Sequence, residues 1–148
     1  MATEAAAPTR AVTADHQALL MPVGADTYAL PLEAVREVAE RPRLTRLPTA
    51  PPVVLGVFNV RGEIVPLFDT GRLLGLRSVE QATHAVLVET GHGIAGLAAT
   101  GMPLTVRLSE AVGRSDLEAT TETFLVGEHQ LAVALDVPVL LSPARISR

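Results

Sequence analysis

The 148-residue chain contains no cysteine, no tryptophan and no lysine, and it has only four aromatic residues. Without cysteine, the chain cannot form disulfides, thiolate metal sites or a cysteine nucleophile. The core must therefore be built from leucine, valine and alanine, together with Tyr28, Phe58, Phe68 and Phe124. All twelve cations are arginine, and the formal net charge of −4 argues against nucleic acid as the main partner.

Long apolar runs are missing as well. The longest, Pro51–Phe58 and Leu131–Leu141, are too short or interrupted to span a bilayer. The first fourteen residues are rich in alanine and threonine and lack the apolar segment of a signal peptide. We therefore predict a disordered tail over residues 1–15 and a cytoplasmic domain over residues 16–143, with no direct insertion into a membrane.

The titratable residues show no catalytic or metal-binding pattern. His16, His84, His92 and His129 are widely scattered, and the spacings HxxxH and HExxH do not occur. The sequence thus predicts neither an active site nor a metal or cofactor. A small β-barrel enzyme or ligand binder is the remote alternative.

The chain does contain many short apolar runs separated by turn residues, a pattern typical of strands. Pairs of runs that predict hairpins flank four turns, at residues 24–26, 61–62, 90–93 and 127–129. We expect one helical turn in Glu33–Val38, an extended proline-rich connector over residues 40–52 and a loop over Gly113–Thr121. Either Asp69 or Thr70 is expected to cap one short helix, and Asp136 is expected to cap another. The pattern predicts an all-β fold with short helices, built as one small barrel or a pair.

Two polar residues, Asn59 and Arg61, interrupt an otherwise apolar segment. An arginine withdrawn from water there would need a carboxylate or several carbonyl groups. Glu37, within the mostly apolar Leu32–Val38, is the candidate partner. The pattern alone favours the other interpretation, in which Arg61 and Gly62 form a hairpin tip with Arg61 in solvent.

A second group of arginines, Arg41, Arg43 and Arg46, recurs at spacings of two and three residues in the connector. We interpret them as a solvated strand edge whose charges prevent stray pairing. A patch for an acidic partner is the alternative.

Several segments together resemble the CheW-like domain family. The most specific is VLGVFNVRGEIVPLFD at residues 54–69, preceded by VREV at 35–38 and TRLPTAP at 45–51. The start of the domain at residues 19–23 and 28–32, and its end at 131–141, are similar to the same family. The resemblance covers residues 17 to 141.

The resemblance implies two intertwined, five-stranded SH3-like β-barrels with an apolar seam between them. It also implies a non-catalytic adaptor, or scaffold, of bacterial chemosensory arrays. Such an adaptor couples the cytoplasmic tip of a chemoreceptor to the regulatory domain of a CheA-type histidine kinase. Other CheW-like domains are further implied partners.

In the family, an arginine and a glutamate that match Arg61 and Glu37 belong to the receptor-facing region, which favours a partner-facing pair over a solvated tip. The predicted receptor-binding site also includes Asn59 and Gly62 of the same motif. Val35 and Val57 would wall a groove for an apolar helix whose register Arg61 fixes. Ordinary core packing is the alternative for both valines.

The second half of the chain departs from the family pattern. Ala99 and Thr100 stand where the family usually has valine and aspartate. This departure puts the kinase contact in question. The alternative function is that of a divergent member acting through protein–protein binding in a pilus, development or localisation pathway.

Overall fold

Antiparallel hairpins make up most of the computed structural model, which describes residues 11–13 and 16–147. In chain order, the strands of this part are β1 (Gln17–Val23), β2 (Asp26–Pro31), β3 (Val35–Glu40), β4 (Val54–Val60), β5 (Glu63–Phe68), β6 (His84–Thr90), β7 (Gly93–Ala99), β8 (Leu104–Arg107), β9 (Ala111–Arg114), β10 (Thr120–Val126) and β11 (Gln130–Leu135). The helices are α1 (Thr70–Leu73), α2 (Val137–Leu140) and α3 (Pro143–Ile146). Asp69 rather than Thr70 caps α1, and Asp136 caps α2 as predicted, because each aspartate side chain accepts a hydrogen bond from a first-turn backbone N–H.

The middle of the chain forms a five-stranded sheet in the order β3-β6-β7-β5-β4. Two hairpins, β4–β5 and β6–β7, lie side by side through a parallel contact between β5 and β7. Strands β3 and β4 are consequently the two outer strands of this sheet. Their position matters below because the candidate site joins them.

Both ends of the chain contribute to the second sheet, whose order is β8-β1-β2-β11-β10-β9. Here the hairpins β1–β2 and β10–β11 meet through a parallel contact between β2 and β11. The two sheets confirm the predicted all-β fold of two intertwined SH3-like barrels with short helices. The second has six strands rather than five, because Leu104–Arg107 pairs along the outer edge of β1.

The seam between the two sheets explains why β1 is apolar almost throughout. Leu19 and Met21 pack with residues of the five-stranded sheet in the larger core cluster. The alternate residues Ala18 and Leu20 face a second, smaller cluster around Phe124. Because successive side chains point to opposite faces, a strand buried on both sides reads as a continuous apolar run.

Two local predictions were correct only in part. Glu33–Val38 holds only a 3-10 turn at Leu32–Ala34, after which β3 pairs with β6. Gly113–Thr121 is not wholly a loop, since it contains the end of β9 and the start of β10. In both segments, pairing with a neighbouring strand outweighs the local preference of the sequence.

Most of the predicted tail, residues 1–10 and 14–15, lies outside the described residues, and so does residue 148. Within the tail, Val12 is buried in the smaller core cluster. The boundaries 1–15 and 16–143 stay predictions. No helix in the described part of the chain has the length and apolar character needed to cross a membrane.

Candidate functional site

The turn between β4 and β5 contains two of the predicted site residues and is held by a third. Arg61 and Gly62 have φ angles of +51° and +86°, and a type I′ hairpin turn needs positive values at both positions. Glycine adopts such angles freely, whereas arginine seldom does. The Oδ1 atom of Asn59 accepts a hydrogen bond from the Gly62 N–H at 2.9 Å. Asn59 therefore stabilises the turn that places Arg61 at its tip.

From this tip, the Arg61 side chain reaches across to β3. Its Nη1 atom donates a hydrogen bond to Oε2 of Glu37 at 2.9 Å. The arginine side chain is 79% exposed and the glutamate side chain 27% exposed. Both interpretations of Arg61 thus describe part of the structure: it is an exposed hairpin tip, and it is paired with Glu37. The pair links the two outer strands of the five-stranded sheet.

A β-bulge in β3 orients the Glu37 side chain toward Arg61. Val35 lies opposite Val88 and Glu37 opposite Leu87, so that Arg36 is an extra residue in the strand. Arg36 itself donates a hydrogen bond to Glu89 on β6 at 2.7 Å. This second ion pair lies beside the first and was not predicted, since a bulge leaves no clear signal in the sequence.

Side chains from both ion pairs border a small cavity of about 100 Å³. Its charged lining comes from Arg36, Glu37, Arg61 and Glu63, and its apolar lining from Val60, Val65, Leu87 and Ile94. Charged and apolar groups share this lining, so the cavity can contact an apolar side chain while hydrogen bonds fix the orientation of a partner. The arrangement suits binding of another protein.

Val35 and Val57 are not brought together at this cavity, since neither contributes to its lining. Val35 is partly buried against the larger core cluster. Val57 lies on β4 opposite Pro66 and is also partly buried. The structure therefore joins Arg61, Glu37, Asn59 and Gly62 into one site, with the two valines on the outer strands to either side.

Comparison with known proteins places this arrangement in a family. The CheW-like domain model matches residues 17–145. The chain belongs to the CheW-like domain family. A crystal structure of the scaffolding protein TtCheW from Thermoanaerobacter tengcongensis has the same fold, with a TM-score of 0.75 at 17% identity over 90% of this chain and 97% of that one.

Curated relatives match this CheW-like chain over part of their length. The Chemotaxis protein CheW of Helicobacter pylori is 30% identical over 103 residues, which are 68% of this chain and 60% of that protein. Protein PilI of Pseudomonas aeruginosa is 35% identical over 77 residues, 51% of this chain and 43% of that protein. The match thus spans about half of these relatives.

The connector of the CheW-like chain forms a segment that we call the strap, residues 41–50, which lies along the outer edge of β4. Thr45 and Val57 exchange backbone hydrogen bonds of 2.8 and 2.9 Å. A Cβ atom on Gly56 would lie 2.7 Å from the Thr45 carbonyl oxygen, so glycine permits this close approach. The proline content predicted an extended segment, but nothing local predicted its pairing with β4.

Thr100, which stands where the family usually has aspartate, lies at the seam between the sheets. Its hydroxyl accepts a hydrogen bond from the Gly24 N–H at 2.9 Å, and its N–H donates to the Pro22 carbonyl at 2.9 Å. Thr100 therefore ties the β1–β2 turn to the end of β7. The departure from the family pattern has a structural role here.

Arg145 is a second residue that the sequence did not single out. It is only 8% exposed, and it donates hydrogen bonds to the Leu73 carbonyl and to Glu118, the latter at 2.8 Å. These bonds connect α3 with α1 and with the loop before β10. Nothing in the local sequence distinguishes this arginine from exposed ones, because its partners are far away in the chain.

A larger cavity of about 590 Å³ lies between the β1–β2 turn and residues 76–83, and none of the predicted site residues lines it. Tyr28 contributes to its wall. Burial, with a further contribution from Asp26, raises the pKa of Tyr28 to about 12. Among the described residues, no three histidine or acidic side chains lie close enough to hold a metal ion.

Proposed function

We propose that this CheW-like chain is a cytoplasmic, non-catalytic adaptor that couples chemoreceptor tips to the regulatory domain of a CheA-type histidine kinase. The observation that carries the proposal is the Arg61–Glu37 pair, whose side chains line a small cavity together with apolar residues. The match of residues 17–145 to the CheW-like domain supports it.

The geometry of the pair suits a receptor contact. A guanidinium has five N–H donors, and Arg61 directs Nη1 at Glu37 while most of the side chain stays exposed. Donors are therefore left for carbonyl or carboxylate groups of a partner helix. Glu37, which is more buried, fixes the position of the guanidinium before the partner arrives, and such preorganisation lowers the entropy cost of binding.

The test is binding of a purified receptor-tip fragment, measured by calorimetry on the full chain. Arg61→Glu should weaken binding at least about tenfold, since it places a repulsive charge in the interface. Arg77→Glu is the matched control, because Arg77 is an exposed arginine outside the site, and it should bind like the parent. Equal binding by the two folded variants would refute the receptor contact.

The second candidate is an adaptor of a pathway other than chemotaxis. The observation that favours it is the departure at Thr100 in the half of the chain where the kinase contact is in question. Binding to a kinase regulatory domain, tested separately from receptor binding, distinguishes the two. Strong kinase binding supports the chemosensory adaptor, and receptor binding without kinase binding supports the divergent one.

A further inference from the structure

The strap is a positively charged segment on a negatively charged chain. It carries three of the twelve arginines and none of the sixteen acidic residues. Arg41, Arg43 and Arg46 are all exposed, and no described residue forms an ion pair with them. Their charges are consequently directed to solvent and open to an outside anion.

The backbone of the strap also has an open side. Thr45 directs both its N–H and its carbonyl group to Val57, so the groups of the neighbouring Leu44 and Arg46 point away from β4. Within the described part of the chain, no backbone group pairs with them. Leu44 and Arg46 thus present a short unpaired edge, which lies between Pro42 and Pro48.

Apolar surface accompanies the charge. Leu44 and Leu47 are 39% and 45% exposed. Exposed leucine and arginine next to an open backbone edge match the requirements of strand addition, in which the main chain gives affinity and alternate side chains give specificity.

The positive charge of the strap indicates which kind of partner can bind there. A second copy of the strap would bring arginines against arginines, and the net charge of −4 opposes a broad anionic surface such as a membrane. Neither form of charge repulsion opposes the binding of a short extended segment with acidic side chains. We propose that the strap binds an acidic, extended segment of a partner protein, which adds as a strand along residues 43–47. This surface is separate from the Arg61–Glu37 site and does not depend on the adaptor function.

The test uses a fluorescent octapeptide that alternates glutamate and valine, with fluorescence anisotropy as the readout on the full chain. Two matched peptides accompany it: one with lysine in place of glutamate, and one in which every peptide nitrogen is methylated, so that it cannot donate along either edge. The acidic peptide should bind, the lysine peptide should not, and N-methylation should weaken binding at least about tenfold. Arg43→Glu/Arg46→Glu should abolish binding, whereas the charge-matched Arg77→Glu/Arg114→Glu should retain it.

Equal binding of the methylated and unmethylated acidic peptides would overturn strand addition. Equal binding by the two double variants would overturn the assignment to the strap. The last control uses vesicles that contain phosphatidylserine. If the chain bound these vesicles through Arg43 and Arg46 but did not bind the peptide, the strap would be a lipid contact and the proposal would be wrong. Circular dichroism of both double variants checks that each is folded.

Discussion

Arg61 Nη1 lies 2.9 Å from Glu37 Oε2 and connects the turn after β4 to β3, the opposite outer strand of the same sheet. The two residues are 24 positions apart in the chain. Arg61 is mostly exposed and Glu37 is mostly covered. Such a pair contributes little to stability, because solvent screens the exposed charge and ordering the arginine costs entropy. The role of the pair is instead to hold the Arg61 guanidinium in a defined position.

Arg61→Gly should therefore separate stability from binding. Glycine relieves the positive φ of +51°, so the free energy of unfolding should stay within about 1 kcal/mol of the parent value. Receptor-tip binding should be lost, as it should with Arg61→Ala. Urea denaturation and calorimetry on the same samples check both outcomes. A glycine variant that binds like the parent would show that the guanidinium makes no receptor contact.

Asn59 is expected to act through the turn. Asn59→Ala removes the acceptor for the Gly62 N–H and should lower the free energy of unfolding by about 1 kcal/mol. Asn59→Asp keeps an acceptor at the same place and should restore most of this stability. Receptor binding should follow the same order. If Asn59→Ala left stability unchanged while abolishing binding, Asn59 would have to contact the partner directly.

The sequence predicted the hairpins well because their information is local. Each turn contains a glycine between two apolar runs, and the structure places strands on both sides of it. Glu37 could be named as a candidate partner because an arginine in an apolar segment requires a carboxylate or several carbonyl groups, although only the family resemblance favoured the pair over a solvated tip. The contact between Arg145 and Glu118 could not be predicted, because the two residues come from separate parts of the chain that only folding brings together.

The helical prediction at Glu33–Val38 fails from Val35 onward, where β3 begins, and this failure has a particular cause. Val35 and Val38 both pack against the larger core, at a spacing of three that is typical of a helix. The bulge at Arg36 produces this spacing within a strand, because one extra residue shifts the alternation of faces. Only the pairing with β6 reveals the shift, and the same shift directs Glu37 to the site.

Gly56 should be the most sensitive glycine near the site. In Gly56→Ala the new methyl group would meet the Thr45 carbonyl oxygen at 2.7 Å, so the strap or β4 must move, and we expect a loss of about 1–3 kcal/mol. Gly91→Ala is the matched control, because a Cβ there meets nothing within 4 Å. Its stability should stay within about 0.5 kcal/mol of the parent. Denaturation curves that coincide for the two variants would contradict the close packing of the strap.

The ionisation of Tyr28 can be measured without interference from other side chains, because of the composition of the chain. The chain has no lysine, no cysteine and one tyrosine, so Tyr28 is the only side chain expected to titrate between about pH 9 and 12. Its pKa is raised from 10.0 to about 12 in the folded chain. Stability should be constant up to about pH 10, where the unfolded phenol ionises, and should fall by about 2–3 kcal/mol as the pH approaches 12. The phenolate absorbance, followed in the native chain and in urea, measures both pKa values directly. Tyr28→Phe should remove the pH dependence, and a native midpoint near 10 would show that the phenol is accessible to water.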